Sequence, residues 1–294
     1  MRPALKPVDL ISIVFIALLA IITLVFLSLV STWLQIILKY ILFALIIISL
    51  AALDKNKSER TFFNILHAFI PIVIILLVFN SLGELIPRIR DHYYDQALIE
   101  MDHALFGAHP TVWMERFNNG LLTGLLQLAY ISYYFMPIVL GTVLFLRKKR
   151  DEFDRAVFSI VLCFYLSYIG YLLVPAVGPR FTLNHIQTMD LQAGPFTLWI
   201  RSTLDGLEQN KTDAFPSGHT AVALVSLFYA LKYREKALVW VLVPAVSALI
   251  VSTVYLRYHY GVDVIAGVLL AALTILIAPK TYRLFSGSSG NPHS

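Results

Sequence analysis

The chain has 294 residues, 58% of them hydrophobic and 14% charged, and its mean hydropathy is +0.74. A water-soluble domain of this size needs far more charge to cover its surface, so the composition points to a membrane protein. The single cysteine, Cys163, leaves no room for an intrachain disulfide framework. The formal charge of +5 gives no support to a nucleic-acid partner, because the basic residues cluster between apolar runs and not on a polar domain.

A helix needs about 20 apolar residues to cross the hydrocarbon core. Eight runs meet or nearly meet that length: 10–30, 33–53, 62–82, 121–146, 156–177, 216–231, 237–256 and 260–278. The first is too long for a signal-peptide core and lacks a small-residue cleavage site, so it reads as a retained span. Between the third and fourth runs, residues 83–120 are too polar to span and too rich in Leu, Phe and Trp to float in water. They read as one or two helices at the membrane interface, with Trp113 as a belt residue. The expected fold is therefore all-α and polytopic. Residues 1–82 hold three helices, 83–120 an interfacial segment and 121–285 a second membrane unit, and 286–294 form a Gly/Ser-rich tail expected to be disordered.

With Lys39 set aside inside the second span, the connecting segments of one side hold 15 Lys/Arg and those of the other hold seven. The positive-inside rule then expects both termini in the cytoplasm. It also expects residues 178–215 and 256–260 together on the opposite face, toward a periplasm, cell exterior or organelle lumen.

Three short stretches fall on that face. In Tyr258-His259-Tyr260-Gly261-Val262-Asp263, a histidine and a carboxylate are one helical turn apart on the same side. An acid inside a span needs a partner, and the nearest candidate is the imidazole of His259. A carboxylate there would fix the ring tautomer and leave the other nitrogen as a nucleophile or base. Phe215-Pro216-Ser217-Gly218-His219-Thr220 opens the sixth run. Pro216 suits a first-turn position, Ser217 and Gly218 offer backbone N–H groups to an anion, and His219 is placed to give a proton. Gly178-Pro179-Arg180 supplies a guanidinium suited to phosphate oxygens. Taken singly, each stretch also reads as an ordinary helix start or loop turn.

The chain resembles the type 2 phosphatidic acid phosphatase (PAP2) superfamily, in the branch containing inositol phosphorylceramide synthase and related bacterial membrane proteins. The likeness rests on 215–220, on Ser252-Thr253-Val254-Tyr255-Leu256-Arg257 followed by 258–264, on Gly178-Pro179-Arg180-Phe181, and on Met101-Asp102-His103-Ala104-Leu105-Phe106-Gly107. It covers roughly residues 90–280. What it implies is a two-step transfer without metal or cofactor. His259 would attack phosphorus with Asp263 charging its ring, and His219 would protonate the departing lipid oxygen. Arg180, Ser217 and Gly218 would hold the phosphoryl oxygens, and water or a hydroxyl compound would accept the phosphoryl group. The lipid would enter sideways from the bilayer. Two departures stand out: no Lys-x6-Arg-Pro string is present, and the arginine usual six residues before the nucleophilic histidine is Thr253. Arg257 is the expected substitute, and Lys211 a further candidate for the phosphate.

Other classes remain open at this point. A zinc enzyme would use His219, His259 and Asp263 as ligands, a transporter would use polar helix starts as ion sites, and a serine hydrolase would use Ser217. His67 reads as a satisfied packing residue. His92, His103, His109 and His185 read as interface residues, and Asp102 as a cap or brace.

Overall fold

A computed structural model describes residues 5–54, 62–207 and 210–287. It is helical throughout, and among the described residues the one β-type contact is an isolated parallel bridge between Ala176 and Asp213. The helices are α1 (Pro7–Val25), α2 (Trp33–Leu53), α3 (Phe62–Ile89), α4 (Asp95–Phe106), α5 (Pro110–Trp113), α6 (Gly120–Leu146), α7 (Arg150–Leu173), α8 (Pro179–Thr182), α9 (Pro195–Leu207), α10 (Gly218–Lys232), α11 (Lys236–Tyr255) and α12 (Gly261–Gly287).

Seven of these (α1, α2, α3, α6, α7, α11 and α12) are long and apolar enough to cross a membrane. The remaining expected span is α10, with 15 residues, about 22 Å at 1.5 Å per residue. It is wrapped by α6, α7, α11 and α12, so its short length is covered by protein rather than lipid. The other end-points shift too. α3 runs on to Ile89 and takes in the first residues assigned to the interfacial segment. α12 reaches Gly287, so Ser286 and Gly287 close a helix, while 288–294 lie outside the described residues.

Two packed groups share α7. On one side α1, α2 and α3 build a core of Phe15, Tyr40, Leu82 and their neighbours against Phe158 and Tyr165 of α7. On the other, α6, α10, α11 and α12 close around Ala221, Ala223 and Val225. Small residues let these backbones approach, which is how helices associate where no hydrophobic drive separates protein from lipid. At Gly267 of α12 a Cβ would lie 2.6 Å from the Ser217 carbonyl. The bare glycine is what allows α12 to pass the start of α10. Near the starts of α1 and α3, His67 does pack as a satisfied residue: its two ring nitrogens contact Asp54 at 2.8 Å and Asp9 at 3.0 Å.

The segment between α3 and α6 forms a shelf over one end of the bundle, and it braces the loops there through buried acids. Asp95 of α4 accepts N–H bonds from Val177 and Gly178, at 3.0 and 2.9 Å, and a hydroxyl bond from Tyr260 at 2.8 Å. Asp102, about two turns further along α4, accepts from Gly261 N–H at 2.9 Å and Val262 N–H at 2.7 Å. Both are free donors of the α12 N-terminus, so Asp102 is a cap supplied from a distant helix.

Candidate active site

The four segments that make the site are loops and helix ends on the shelf side. α11 ends in a Schellman turn, with Arg257 N–H bonded to Val254 O and Tyr258 N–H to Thr253 O, both at 3.0 Å. Such a turn needs a residue in left-handed backbone space, and here it is Arg257, with φ of 68°. A side chain other than glycine there costs roughly 1 kcal/mol, and the guanidinium supplies the compensation. It donates to Glu115 at 2.8 Å, Met189 O at 2.6 Å and Gln187 at 2.9 Å. Arg257 thus pins the end of α11 to the shelf. The Thr253 carbonyl also receives the His259 N–H at 3.0 Å, so the end of α11 anchors the histidine backbone.

His259 is buried between two groups that hold its ring. Nδ1 lies 2.7 Å from the Ala214 carbonyl and 3.5 Å from Asp263 Oδ2. A carbonyl oxygen only accepts, so the ring proton sits on Nδ1 and Nε2 carries the lone pair. Asp263 makes its shorter bond, 2.8 Å, with Tyr260 N–H. The Ala214 carbonyl, closer to Nδ1 than the carboxyl group is, is therefore the group that fixes the tautomer.

His259 Nε2 faces Nδ1 of His219 at 3.3 Å. His219 is held between the rings of Tyr130 and Tyr133, with centroids at 4.6 and 4.2 Å, and its Nε2 has no hydrogen-bond partner among the described residues. Asp263 and His219 approach opposite edges of His259, so the three donors of a zinc site do not converge on one point.

At the start of α10, Ser217 is the N-cap, and Pro216, placed by sequence in the first turn, stands before it. The Ser217 side chain is taken up with Thr220, accepting its N–H at 3.3 Å and donating to its hydroxyl at 3.1 Å. Its own N–H goes to the Asp263 carbonyl at 3.0 Å. That leaves the first-turn N–H groups of Gly218 and His219 as the donors open to an anion, at the positive end of the helix.

Arg180 is brought alongside by Gly178, whose φ of +89° and 2.7 Å clearance between a built Cβ and the Tyr258 carbonyl admit only glycine. Arg180 N–H bonds to the Arg257 carbonyl at 3.0 Å, and its guanidinium lies 4.8 Å from the Tyr258 ring centre. Asp213, not singled out from sequence, also belongs here. Burial raises its carboxyl above the ordinary carboxylate range, against the opposing pull of His259, Arg180 and Lys211. Lys211 therefore stands within electrostatic reach of the site through this acid. The signal for Asp213 was an acid two residues ahead of Phe215-Pro216-Ser217-Gly218-His219, but its place depends on the pairing with Ala176. An apolar cleft between α3, α6 and α7 ends at His219 and Asp213.

The arrangement is an imidazole with a fixed tautomer, a second imidazole facing it, a cation, and a helix N-terminus. The model of the PAP2 superfamily matches residues 96–277. The chain is 31% identical to a PA-phosphatase related-family protein of Dictyostelium discoideum, over 58% of this chain and 34% of that protein. It is 29% identical to a phosphoinositol dihydroceramide synthase of Bacteroides thetaiotaomicron, over 49% of this chain and 51% of that protein. The chain thus spans between a third and a half of the curated relatives it matches. No solved structure matches it.

Proposed function

The chain belongs to the PAP2 superfamily, and from that premise we propose that it is an integral membrane lipid phosphatase or phosphotransferase working through a phosphohistidine. The observation that carries the reading is the facing pair His259 and His219, 3.3 Å apart, with the proton of His259 held on the far nitrogen by Ala214. Nε2 of His259 attacks phosphorus, the P–O bond to the lipid breaks, and His219 delivers a proton to the departing oxygen. The ring becomes positive as the N–P bond forms, and Asp263, at 3.5 Å, offsets that charge. Arg180 and the Gly218 N–H take the phosphoryl oxygens. A hydroxyl acceptor, deprotonated by His219 in its turn, then attacks phosphorus and frees His259.

The two imidazoles touch at rest, so the phosphoryl group has to part them before attack. Arg257 acts in this reading as the brace that aims His259, since its guanidinium is already engaged by Glu115, Gln187 and Met189. Ser217 sets the start of α10, and Lys211 and Asp213 tune the mouth. The bias of Lys/Arg among the connecting segments supports a site on the non-cytoplasmic face.

A second acceptor distinguishes phosphatase from headgroup transferase, and the likeness to the Bacteroides synthase favours testing transfer beside hydrolysis. The experiment is product formation by detergent-purified protein from a panel of lipid phosphates in EDTA, then from phospholipid donors with ceramide or polyol acceptors, each beside His259→Ala. Turnover that the variant lacks is expected. Equal turnover by both proteins, or none with any donor, would overturn the reading.

A further inference from the structure

We propose that the cleft between α3, α6 and α7 seats one alkyl chain of the lipid donor, and that Phe153 with Phe69 and Phe145 forms the floor that sets its length. The inference rests on the phosphoryl-transfer reading for the position of the headgroup, and it adds what the lipid tail meets. The cleft encloses a volume of ≈ 150 Å³ with walls that are almost wholly apolar, and its polar end is formed by His219 and Asp213. A lipid whose phosphate lies between His219 and His259 has its ester oxygen at the top of this space.

The depth suits a long alkyl chain. Along α3 the wall runs from Phe79 to Ala68 and along α7 from Tyr171 to Phe153, about 16 and 27 Å at 1.5 Å per residue, and the whole of a typical hydrocarbon core is about 30 Å. The cleft is also open in the direction a lipid would come from. α3 and α6 do not pack closely along their lengths, and their flanking residues Val73, Leu76, Phe135 and Val139 are exposed where bilayer chains would lie. Pro71 of α3 and Pro137 of α6 both line the opening.

The floor is built. Phe69, Phe145 and Phe153 meet edge to face with centroids 5.5–5.9 Å apart. Gly141 makes room for this closure, because a Cβ there would already touch Phe153 at 3.4 Å. Beneath it, Arg150 caps the Phe145 ring at 4.7 Å, so a longer chain would meet a cation and not more hydrocarbon. The α3 wall lies outside residues 96–277, the part matched by the family model. The N-terminal helices thus add one wall and Phe69 of the floor, while Phe145 and Phe153 belong to the matched part.

The test uses the full-length protein and two lipid-phosphate photoprobes, one with a diazirine at the chain terminus and one with it beside the glycerol. The terminal probe is expected to label Phe69, Gly141 or Phe153, and the proximal probe Tyr133 or Tyr171. Labelling confined to the outward faces of α3 and α6 would overturn the proposal, and this arm needs no turnover. In the second arm, Ile138→Trp should lower the long-chain to short-chain ratio of kcat/KM at least tenfold, while Phe153→Ala should shift it the other way. A parent enzyme that turns over every chain length, with ratios unchanged in both variants, would sink the ruler and leave the phosphoryl chemistry standing. Groove labelling without turnover of any donor would uphold the ruler and count against the chemistry.

Discussion

Asp263→Asn separates two roles that a carboxylate beside a histidine can play. Where the carboxylate alone sets the tautomer, its loss costs about 10⁴ in kcat, as in serine proteases. In this chain the Ala214 carbonyl, 2.7 Å from Nδ1, still sets the tautomer, and the amide oxygen of an asparagine can still accept the Tyr260 N–H. What disappears is a buried negative charge 3.5 Å from a ring that becomes positive, worth at most about 5 kcal/mol at an effective dielectric of about 20. The Nε2 that bonds phosphorus is on the far side of the ring, so about half of that is the reasonable loss. The account therefore expects kcat to fall by roughly 10²-fold, with KM nearly unchanged, because the charge acts mainly in the transition state. Single-turnover formation of phosphoenzyme measures the step directly. A variant within threefold of the parent would refute the electrostatic role of Asp263, and a rise in KM alone would assign it to binding.

Arg180→Ala should raise KM for a lipid phosphate about tenfold or more through loss of a charge-assisted contact. Arg180→Lys should recover part of it, and unchanged kinetics in both would return Arg180 to a purely structural place. Asp102→Ala removes two N–H acceptors from the α12 terminus and should cost about 1–2 kcal/mol, read as a lower thermal midpoint; an unchanged midpoint would contradict the cap. Asp213→Asn should raise that midpoint at neutral pH. The folded-state carboxyl titrates above its unfolded value, so the parent loses stability as pH rises from the unfolded carboxylate value through the folded one. The gain from asparagine should fade below that window, and a gain that persisted at acid pH would show another cause.

Much of this architecture was legible because hydropathy and local spacing carry it. Seven of the eight expected runs became long apolar helices, and the eighth is a short one that other helices cover. His259 and His219 could be nominated from motifs, and charge bias among the loops put their segments on one face. The acids that hold the site were less legible. Asp95 and Asp102 act on groups more than eighty residues away, and Glu115 meets Arg257 across 142 positions. No periodicity or spacing encodes such pairs, which exist only once α4 and the turn after α5 lie over the bundle. For Arg257, sequence expected a phosphate ligand, and its left-handed backbone and engaged guanidinium direct it to bracing. The tautomer-setting role of Ala214 was invisible for a different reason: a backbone carbonyl leaves no mark in the residue type.

The central claim is a covalent bond between phosphorus and His259, and trapping it is the most direct measurement. Protein incubated with a lipid donor labelled at phosphorus, then quenched at alkaline pH and digested, should yield an acid-labile, base-stable label on the peptide containing His259. His259→Ala should yield none. Label on another residue, or turnover by the parent with His259 never modified, would contradict the account.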